Sequence, residues 1–255
     1  MKRHSKYPEF YQECEWTGAC YYIPAKARDY SESYFLEEYK AQYNKTYFQD
    51  EENLRRLAKS RLEILSKYVK REESKLFEIG CAAGYFLDEA KKFGYKVSGL
   101  EVSQIATDYA CKNELDVKCC SFLDYKSDEK HDIICAFYVI EHFENQEEVF
   151  YKILSMLKEK GCLFLSLPSI YGPTFTTNPE EWFKTHPKDH FMDYSHKSLK
   201  KVFKKLNMDV VYNRPVSYHP YRDKGWRGNL PLYIYEKLAN WTCYGDTIQI
   251  LAKRK

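Results

Sequence analysis

The feature that most constrains this chain is a tight turn between a short apolar strand and a helix. Residues 76–79, apolar except for Glu78, are followed by Gly80 and, four positions later, by Gly84. The first glycine allows backbone angles that other residues rarely adopt, and the second would let a ligand approach the main chain. The helix behind the turn would offer unpaired N–H groups and a positive dipole end. The pattern predicts a nucleotide-like ligand at the carboxyl edge of a parallel sheet.

The spacing of the glycines in this turn limits the class of ligand. Dinucleotide sites use Gly-x-Gly-x-x-Gly, in which the middle glycine lets the backbone contact a pyrophosphate. Here Glu78 begins the pattern Glu-x-Gly-x-x-x-Gly, which has no middle glycine. A second strand at 96–103 contains Glu101, which lies 17 residues after Gly84, the usual distance to a ribose-binding carboxylate. The alternative for Glu101 is a solvated acid at the end of a strand.

Three further strands are predicted along the chain. Residues 116–120 form the third, and residues 132–140, with the longest uninterrupted apolar run, form a central fourth strand covered on both faces. Asn145 then caps a helix that Gly161 closes, and residues 162–167 form the fifth strand. Alternation of strands and helices from 76 to 169 favours a doubly wound sheet.

Four segments resemble class I S-adenosylmethionine-dependent methyltransferases, in particular the methyltransferase-23-like and quinone-biosynthesis-type enzymes that act on small molecules. They are the turn at 78–84, the Tyr-Val-Ile-Glu-His segment at 138–142, the segment from Trp182 to Met208, and residues 245–252 as a closing strand. The resemblance implies an α/β, doubly wound, mostly parallel seven-stranded sheet with an antiparallel closing strand (the Rossmann-like methyltransferase fold), preceded by an N-terminal helical lead-in.

The resemblance also implies the cofactor S-adenosyl-L-methionine and a set of residues that bind it. The adenine position departs from the family pattern, because Ser121 or Phe122 stands where an Asp is common, and Asp124 is a fallback. Aromatic residues after the fifth strand suggest an acceptor pocket. The predicted cofactor residues are Glu78, Gly80, Cys81, Gly84, Glu101, Val102, Ser121, Phe122, Phe137 and Tyr138, and the predicted substrate residues are Tyr171, Trp182 and Tyr194.

Two histidines are the candidate catalytic bases. His142 follows the fourth strand, and His190 lies in the connection after the fifth, where acceptor pockets are usually built. His142 could instead cap its strand or orient Glu141, and His190 could only hydrogen-bond its loop. In some quinone-type relatives an E-x-x-E-H segment binds a divalent cation, but here Tyr138 stands at the first acid, so no metal is predicted. His186 and His196 are expected at the surface.

The lead-in divides into two parts. Residues 7–47 are rich in tyrosine and are expected to be irregular or short-helical, and residues 50–70 form an amphipathic helix. Most of the aromatic residues should pack this layer, while Tyr30, Tyr34 and Tyr43 are candidates for a lid over the sulfonium. The predicted division is a cap at 1–74 and a binding domain at 75–255, with an acceptor-pocket insertion at about 169–198.

Composition excludes some classes of function. A net charge of +3 over 255 residues, with scattered lysines, does not indicate a nucleic-acid binder. Nine cysteines, an odd number with Cys119, Cys135 and Cys162 in expected core strands, suggest free thiols in a reducing cytoplasm. No apolar leader or membrane span is apparent.

We therefore expect a cytoplasmic enzyme that methylates a small molecule, at a hydroxyl oxygen of a sugar, lipid precursor or phenol. The oligomeric state stays open. Two alternatives are a non-catalytic S-adenosylmethionine-binding module that activates a partner, and a nicotinamide-dependent oxidoreductase. The missing Gly-x-Gly argues against the oxidoreductase.

Overall fold

The structure is a computed structural model that describes residues 1–28 and 44–255. The lid candidates Tyr30, Tyr34 and Tyr43 lie outside the described residues. By proximity of Cα atoms the chain divides into two compact units. Unit 1 comprises Met1–Ala27, Phe137–Val149 and Leu163–Lys255, and unit 2 comprises Arg28–Ala136 and Phe150–Cys162. The predicted division at residue 74, with its acceptor-pocket insertion, stays a prediction.

Eleven strands form two sheets within the described part of the chain. The strands are β1 (Lys2–Arg3), β2 (Tyr11–Glu13), β3 (Cys20–Tyr22), β4 (Lys75–Ile79), β5 (Lys96–Glu101), β6 (Val117–Cys119), β7 (His131–Phe137), β8 (Leu157–Pro168), β9 (Met192–Asp193), β10 (Met208–Pro215) and β11 (Thr247–Arg254).

The larger sheet has seven strands in the order β10-β11-β8-β7-β4-β5-β6. Strand β4 pairs in parallel with β5 and with β7, and β5 pairs in parallel with β6. Strand β11 runs antiparallel to β10. The predicted doubly wound, mostly parallel seven-stranded sheet with an antiparallel closing strand is confirmed.

Eight α-helices accompany the strands in residues 1–28 and 44–255. The predicted N-terminal helix is present as α1, although it ends five residues before the expected Lys70. Both predicted N-caps are confirmed, because Asn145 accepts from the Glu148 N–H and Ser195 from the Ser198 N–H. The helices are α1 (Glu51–Leu65), α2 (Tyr85–Lys92), α3 (Gln104–Lys112), α4 (Gln146–Met156), α5 (Pro173–Thr177), α6 (Pro179–Thr185), α7 (His196–Lys205) and α8 (Leu232–Thr242).

The N-terminal residues of unit 1 form strands, and the expectation of irregular or short-helical structure there is wrong. Strands β1, β2, β3 and β9 make a four-stranded antiparallel sheet in that order. Tyr11, Cys20 and Tyr22 form its buried core, against which Phe175 and Phe183 pack. The tyrosines therefore serve packing in the described part of this segment.

Two predicted boundaries in the central region, and the predicted burial of one cysteine, are also corrected. Strand β7 ends at Phe137 rather than at Ile140, because Tyr138 adopts a left-handed conformation with φ of 60°. Helix α4 ends at Met156, so Gly161 lies within β8 instead of closing the helix. Cys119, at the end of β6, is exposed and not a core residue.

Both glycines of the predicted turn have positive φ, 68° at Gly80 and 79° at Gly84. A Cβ at Gly84 would lie 2.5 Å from Leu115 Cδ1 and 3.1 Å from the Cβ of Ala110. Packing within unit 2 therefore requires this glycine, and the approach of a ligand to its main chain stays a prediction. The apolar side chains of Leu115 and Ala110 pack against Gly84 and hold the turn in place.

None of the helices in the described ranges has both the length and the apolar character that a membrane crossing requires.

Gly84→Ala tests the packing of the turn. The substitution adds left-handed strain of ~1–2 kcal/mol and a clash with Leu115 that should cost a further ~1–3 kcal/mol. Gly94→Ala is the matched control, because Gly94 has φ of 100° but a Cβ there would meet only Arg71 Cβ, at 3.9 Å. Urea unfolding followed by circular dichroism should show the greater loss of stability for Gly84→Ala. Equal losses for the two variants would contradict the packing role.

Candidate active site

The carboxylate of Glu101 lies at the carboxyl end of β5 and is buried. Its Oε2 accepts from the N–H of Ala82 at 2.8 Å, and its Oε1 accepts from the N–H groups of Val102 at 2.8 Å and Ser103 at 2.9 Å. Burial raises the pKa of Glu101, while these three hydrogen bonds act to lower that pKa. Glu101 thus joins the glycine turn to the start of α3.

The second acid of the turn, Glu78, lies inside unit 2. Burial raises its pKa to about 8, the positive charge of Arg61 opposes this rise, and Glu101 adds to it. The Oε2 atom of Glu78 is buried without a hydrogen-bond partner. Sequence reasoning did not identify Arg61, which is buried on α1. Its position three residues after Ala58, on the apolar stripe of the helix, was the available signal.

The other predicted cofactor residues of unit 2 are Cys81, Val102, Ser121 and Phe122. Cys81 is buried and its N–H donates to Leu100 O at 2.9 Å, and burial raises the pKa of its thiol. The Phe122 ring is buried with Lys152 Nζ 5.3 Å from its centre, while Val102 is largely exposed. The Ser121 carbonyl accepts from the N–H groups of the following turn. Their contacts with a cofactor stay predictions.

In unit 1 the chain turns sharply after β7. Tyr138 has the left-handed conformation, which is rare for a bulky residue and persists only where its surroundings fix it. Its N–H donates to Ser166 O at 2.7 Å, and the neighbouring Phe137 ring packs on Phe164 at 5.5 Å. A short 3-10 turn, Ile140–His142, follows. This local geometry places Glu141 and His142 directly after the strand end.

The structure brings the two candidate bases together. The rings of His142 and His190 are 4.6 Å apart and nearly perpendicular. The Nδ1 atom of His142 lies 3.1 Å from Asp189 O and 3.3 Å from Asp189 Oδ2. Burial lowers the pKa of His142, but the hydrogen bond to Asp189 and the charge of Glu141 outweigh burial and leave that pKa raised. Asp189 therefore orients His142 and strengthens it as a base.

In contrast to His142, Glu141 and His190 have pKa values shifted toward their uncharged forms. Burial raises the pKa of Glu141 to about 7, against the opposing effect of His142, and neither carboxylate oxygen bonds another residue. The main-chain oxygen of Glu141 accepts from the Phe191 N–H at 2.8 Å. Burial and the charge of His142 lower the pKa of His190 to about 3, so its imidazole is neutral at physiological pH.

A second histidine of this region, His186, is buried, and the expectation that His186 and His196 lie at the surface is wrong for both. His186 Nε2 lies 2.8 Å from Asp193 Oδ2, which also accepts from the Tyr11 hydroxyl at 2.7 Å. Trp182 Nε1 donates to the same hydroxyl at 2.9 Å. Sequence reasoning identified Trp182 but not Tyr11, Asp189 or Asp193, although the spacing His-x-x-x-His-x-x-Asp was visible.

The predicted substrate residues differ in accessibility. Tyr171 is partly exposed and its ring packs against those of Tyr244 and His196, at 5.6 and 4.7 Å. Tyr194 is buried and its hydroxyl donates to Gln146 Oε1 at 2.8 Å. Trp182 is partly buried beside Tyr11. Direct contact of these three residues with an acceptor stays a prediction.

Comparison with solved structures defines the class of protein. The fold is similar to that of an S-adenosylmethionine-dependent methyltransferase from Archaeoglobus fulgidus, with a TM-score of 0.58 and 18% identity over 89% of this chain and 100% of that one. It is also similar to magnesium protoporphyrin IX methyltransferase from Synechocystis PCC 6803 with bound S-adenosylhomocysteine, with a TM-score of 0.58, 12% identity, and coverage of 88% and 97%. The fold is that of the class I methyltransferases.

The methyltransferase domain family model matches residues 49–213, more than half of the chain, and the chain belongs to this family. Among curated proteins, the ubiquinone biosynthesis O-methyltransferase of Bartonella quintana is 23% identical over 174 residues, which are 60% of this chain and 67% of that protein. The predicted family, enzyme class and cofactor, S-adenosyl-L-methionine, are confirmed.

Glu78→Gln tests the buried carboxyl. Between pH about 4.5 and 8 the folded protein holds a proton on Glu78 that the unfolded chain has released. Its free energy of unfolding should therefore fall as pH rises, by up to ~1.4 kcal/mol per pH unit. The glutamine stays neutral, so Glu78→Gln should gain stability relative to wild type from pH 5 to pH 8.

Urea unfolding at several pH values measures this difference, and Glu63→Gln, at an exposed position of α1, is the control. A difference between Glu78→Gln and wild type that does not change with pH would contradict the assignment.

Proposed function

We propose that this enzyme transfers the methyl group of S-adenosylmethionine to a hydroxyl oxygen of a small molecule, with His142 as the base. The observation that carries the proposal is the contact of His142 Nδ1 with Asp189, which makes Nε2 the basic nitrogen. The similarity to an O-methyltransferase supports oxygen as the acceptor atom.

The donor elements belong to unit 2. Glu101 would accept a hydrogen bond from a ribose hydroxyl, since a carboxylate can accept about four and backbone N–H groups already make three. Gly80, Cys81 and Gly84 would shape the main chain against the methionine portion, and Glu78 would support the turn from inside. Ser121 and Phe122 would lie against the adenine.

The acceptor chemistry needs one proton transfer. His142 Nε2 takes the proton of the hydroxyl while the oxygen attacks the methyl carbon, and the C–S bond breaks with its electron pair on sulfur. The donor leaves as neutral S-adenosylhomocysteine, so the leaving group needs no acid. General-base catalysis contributes ~10²–10⁴ in rate. The neutral imidazole of His190, beside His142, would hydrogen-bond the acceptor.

The aromatic residues Tyr171, Trp182 and Tyr194 favour an acceptor with apolar or ring character. A phenol, a sugar or a lipid precursor has both such a surface and a hydroxyl group. The exposed lysines of α7 form a solvated face, in keeping with a small-molecule acceptor and not a nucleic acid. The proposed compartment is the cytoplasm.

Glu101→Gln tests the ribose contact. Loss of the charged acceptor should weaken S-adenosylmethionine binding by ~1.5–3 kcal/mol, which titration calorimetry can measure. The surface substitution Glu114→Gln is the control and should leave affinity unchanged. Circular dichroism should confirm that Glu101→Gln keeps the fold, because Glu101 also accepts three backbone N–H bonds. Unaltered affinity in folded Glu101→Gln would place the ribose elsewhere.

Incubation with S-adenosylmethionine labelled in its methyl group, and with a panel of phenols, sugars and prenylated alcohols, tests the activity. We expect label to appear in an ether product of one class. Tight donor binding without transfer to any panel member or cell-extract fraction would favour a non-catalytic module.

His142→Ala tests the base once an acceptor is known. The turnover number should fall by ~10²–10⁴, and added imidazole should restore part of it, because free imidazole can occupy the space of the lost ring. Donor affinity should stay at the wild-type value. His219→Gln, at a partly exposed histidine outside the cluster, is the control. Full activity of His142→Ala would exclude His142 as the base.

A further inference from the structure

Three buried side chains of unit 1 converge within a short segment. One ligand atom from each of His186, His190 and Asp193 lies within 4.8 Å of the others. All three residues are buried, and Asp193 is only 1% exposed. We propose that His186, His190 and Asp193 bind one divalent transition-metal ion.

The hydrogen bonds of His186 favour a metal ion at its Nε2 atom. Its Nδ1 lies 2.8 Å from Pro187 O, and its Nε2 lies 2.8 Å from Asp193 Oδ2. A neutral imidazole has one N–H and two nitrogens, but both nitrogens here face oxygen acceptors. If Nδ1–H donates to Pro187 O, the lone pair of Nε2 faces a carboxylate oxygen, and a cation held by both atoms, either a proton or a metal ion, removes the repulsion. Metal-ligating histidines commonly donate their second N–H to a backbone carbonyl in this way.

Asp193 also has the surroundings expected of a metal ligand. Its Oδ2 accepts from the Tyr11 hydroxyl, which in turn accepts from Trp182 Nε1. Its Oδ1 is buried without a hydrogen-bond partner. A buried carboxylate oxygen with no donor is costly unless a cation lies beside it. Tyr11 therefore has the position of an outer-shell group that orients a ligating carboxylate.

The buried carboxyl groups near these three residues also favour a bound cation. Three carboxyl groups, from Glu141, Asp189 and Asp193, are buried in this part of unit 1, and their charge partners include His142, His186 and His190. His190 supplies a third ligand atom to the same group. A dication would offset the negative charge of the Asp193 carboxylate, which lies among these buried residues.

The donor set selects the kind of metal. Two imidazoles and one carboxylate suit zinc and other divalent transition metals, whereas Mg²⁺ and Ca²⁺ prefer all-oxygen sites. Zinc–ligand lengths of ~2.0–2.1 Å put tetrahedral ligands ~3.4 Å apart. His186 Nε2 and Asp193 Oδ2, which lie 2.8 Å apart, would therefore separate by ~0.6 Å, and ligand atoms farther apart would approach by at most ~1.4 Å. The fourth position would be open to water or to an acceptor oxygen. This conclusion departs from the expectation of no metal drawn from the sequence.

His190 also lies within 4.8 Å of Glu141 and His142, measured between their ligand atoms. That second group competes with the proposed one for the same imidazole. The two are separable because Asp193 and His186 belong only to the first, and Glu141 only to the second.

The first experiment uses the wild-type chain, stripped of metal with a chelator and dialysed. One equivalent of ZnCl₂ should bind, raise the thermal unfolding temperature, and stay bound through gel filtration, as elemental analysis would show. CoCl₂ should give the visible absorption of a tetrahedral site with nitrogen and oxygen ligands. Absence of both stoichiometric binding and a thermal shift would overturn the proposal.

The second experiment assigns the ligands. His186→Gln and Asp193→Asn should lose the bound metal, and Tyr11→Phe should lower zinc affinity ~10–100-fold through the outer shell. His196→Gln, at a buried histidine outside the group, is the matched control and should bind as wild type does. Zinc binding kept in Asp193→Asn but lost in Glu141→Gln would assign the metal to the other group and overturn this one. Methyl transfer is not measured, so failure here is distinct from failure of the proposed reaction.

Discussion

The hydrogen bonds of one carboxylate fix the glycine turn of unit 2. Glu101 accepts N–H groups from the glycine turn after β4 and from the start of α3, so two separate strand ends depend on a single side chain. Because Gly84 packs against Leu115, the turn cannot shift away from α3 without opening the core. The turn is therefore preorganised before any ligand binds, which reduces the cost of binding.

The histidine cluster of unit 1 depends on a different interaction, the mutual influence of buried charged groups. Its carboxylates and histidines are buried together, so each changes the protonation of its neighbours: Asp189 and Glu141 favour charge on His142, whereas burial keeps His190 neutral. Two adjacent imidazoles thus differ in chemistry because of what surrounds them. The N-terminal sheet supports this cluster through Tyr11.

The parts of the fold that the sequence predicted correctly are those with strong local signals. The glycine spacing, the apolar runs of β4 and β7, and the N-caps Asn145 and Ser195 are readable from neighbouring residues alone. Strands β1, β2, β3 and β9 are too short to show alternation, and the turn at Tyr138 is hidden in an apolar run. The burial of His186 depends on Tyr11 and Asp193, whose contact no local pattern encodes.

The contact between Tyr11 and Asp193 joins residues 182 positions apart. During synthesis the strands β2 and β3 therefore leave the ribosome long before their partner β9 exists. Such non-local pairing slows folding, because the loop must close before the contact can stabilise it. The cluster around Asp193 would then be among the last parts of the molecule to form, and a chain shortened to the matched domain at residues 49–213 would lack the tyrosine that completes it.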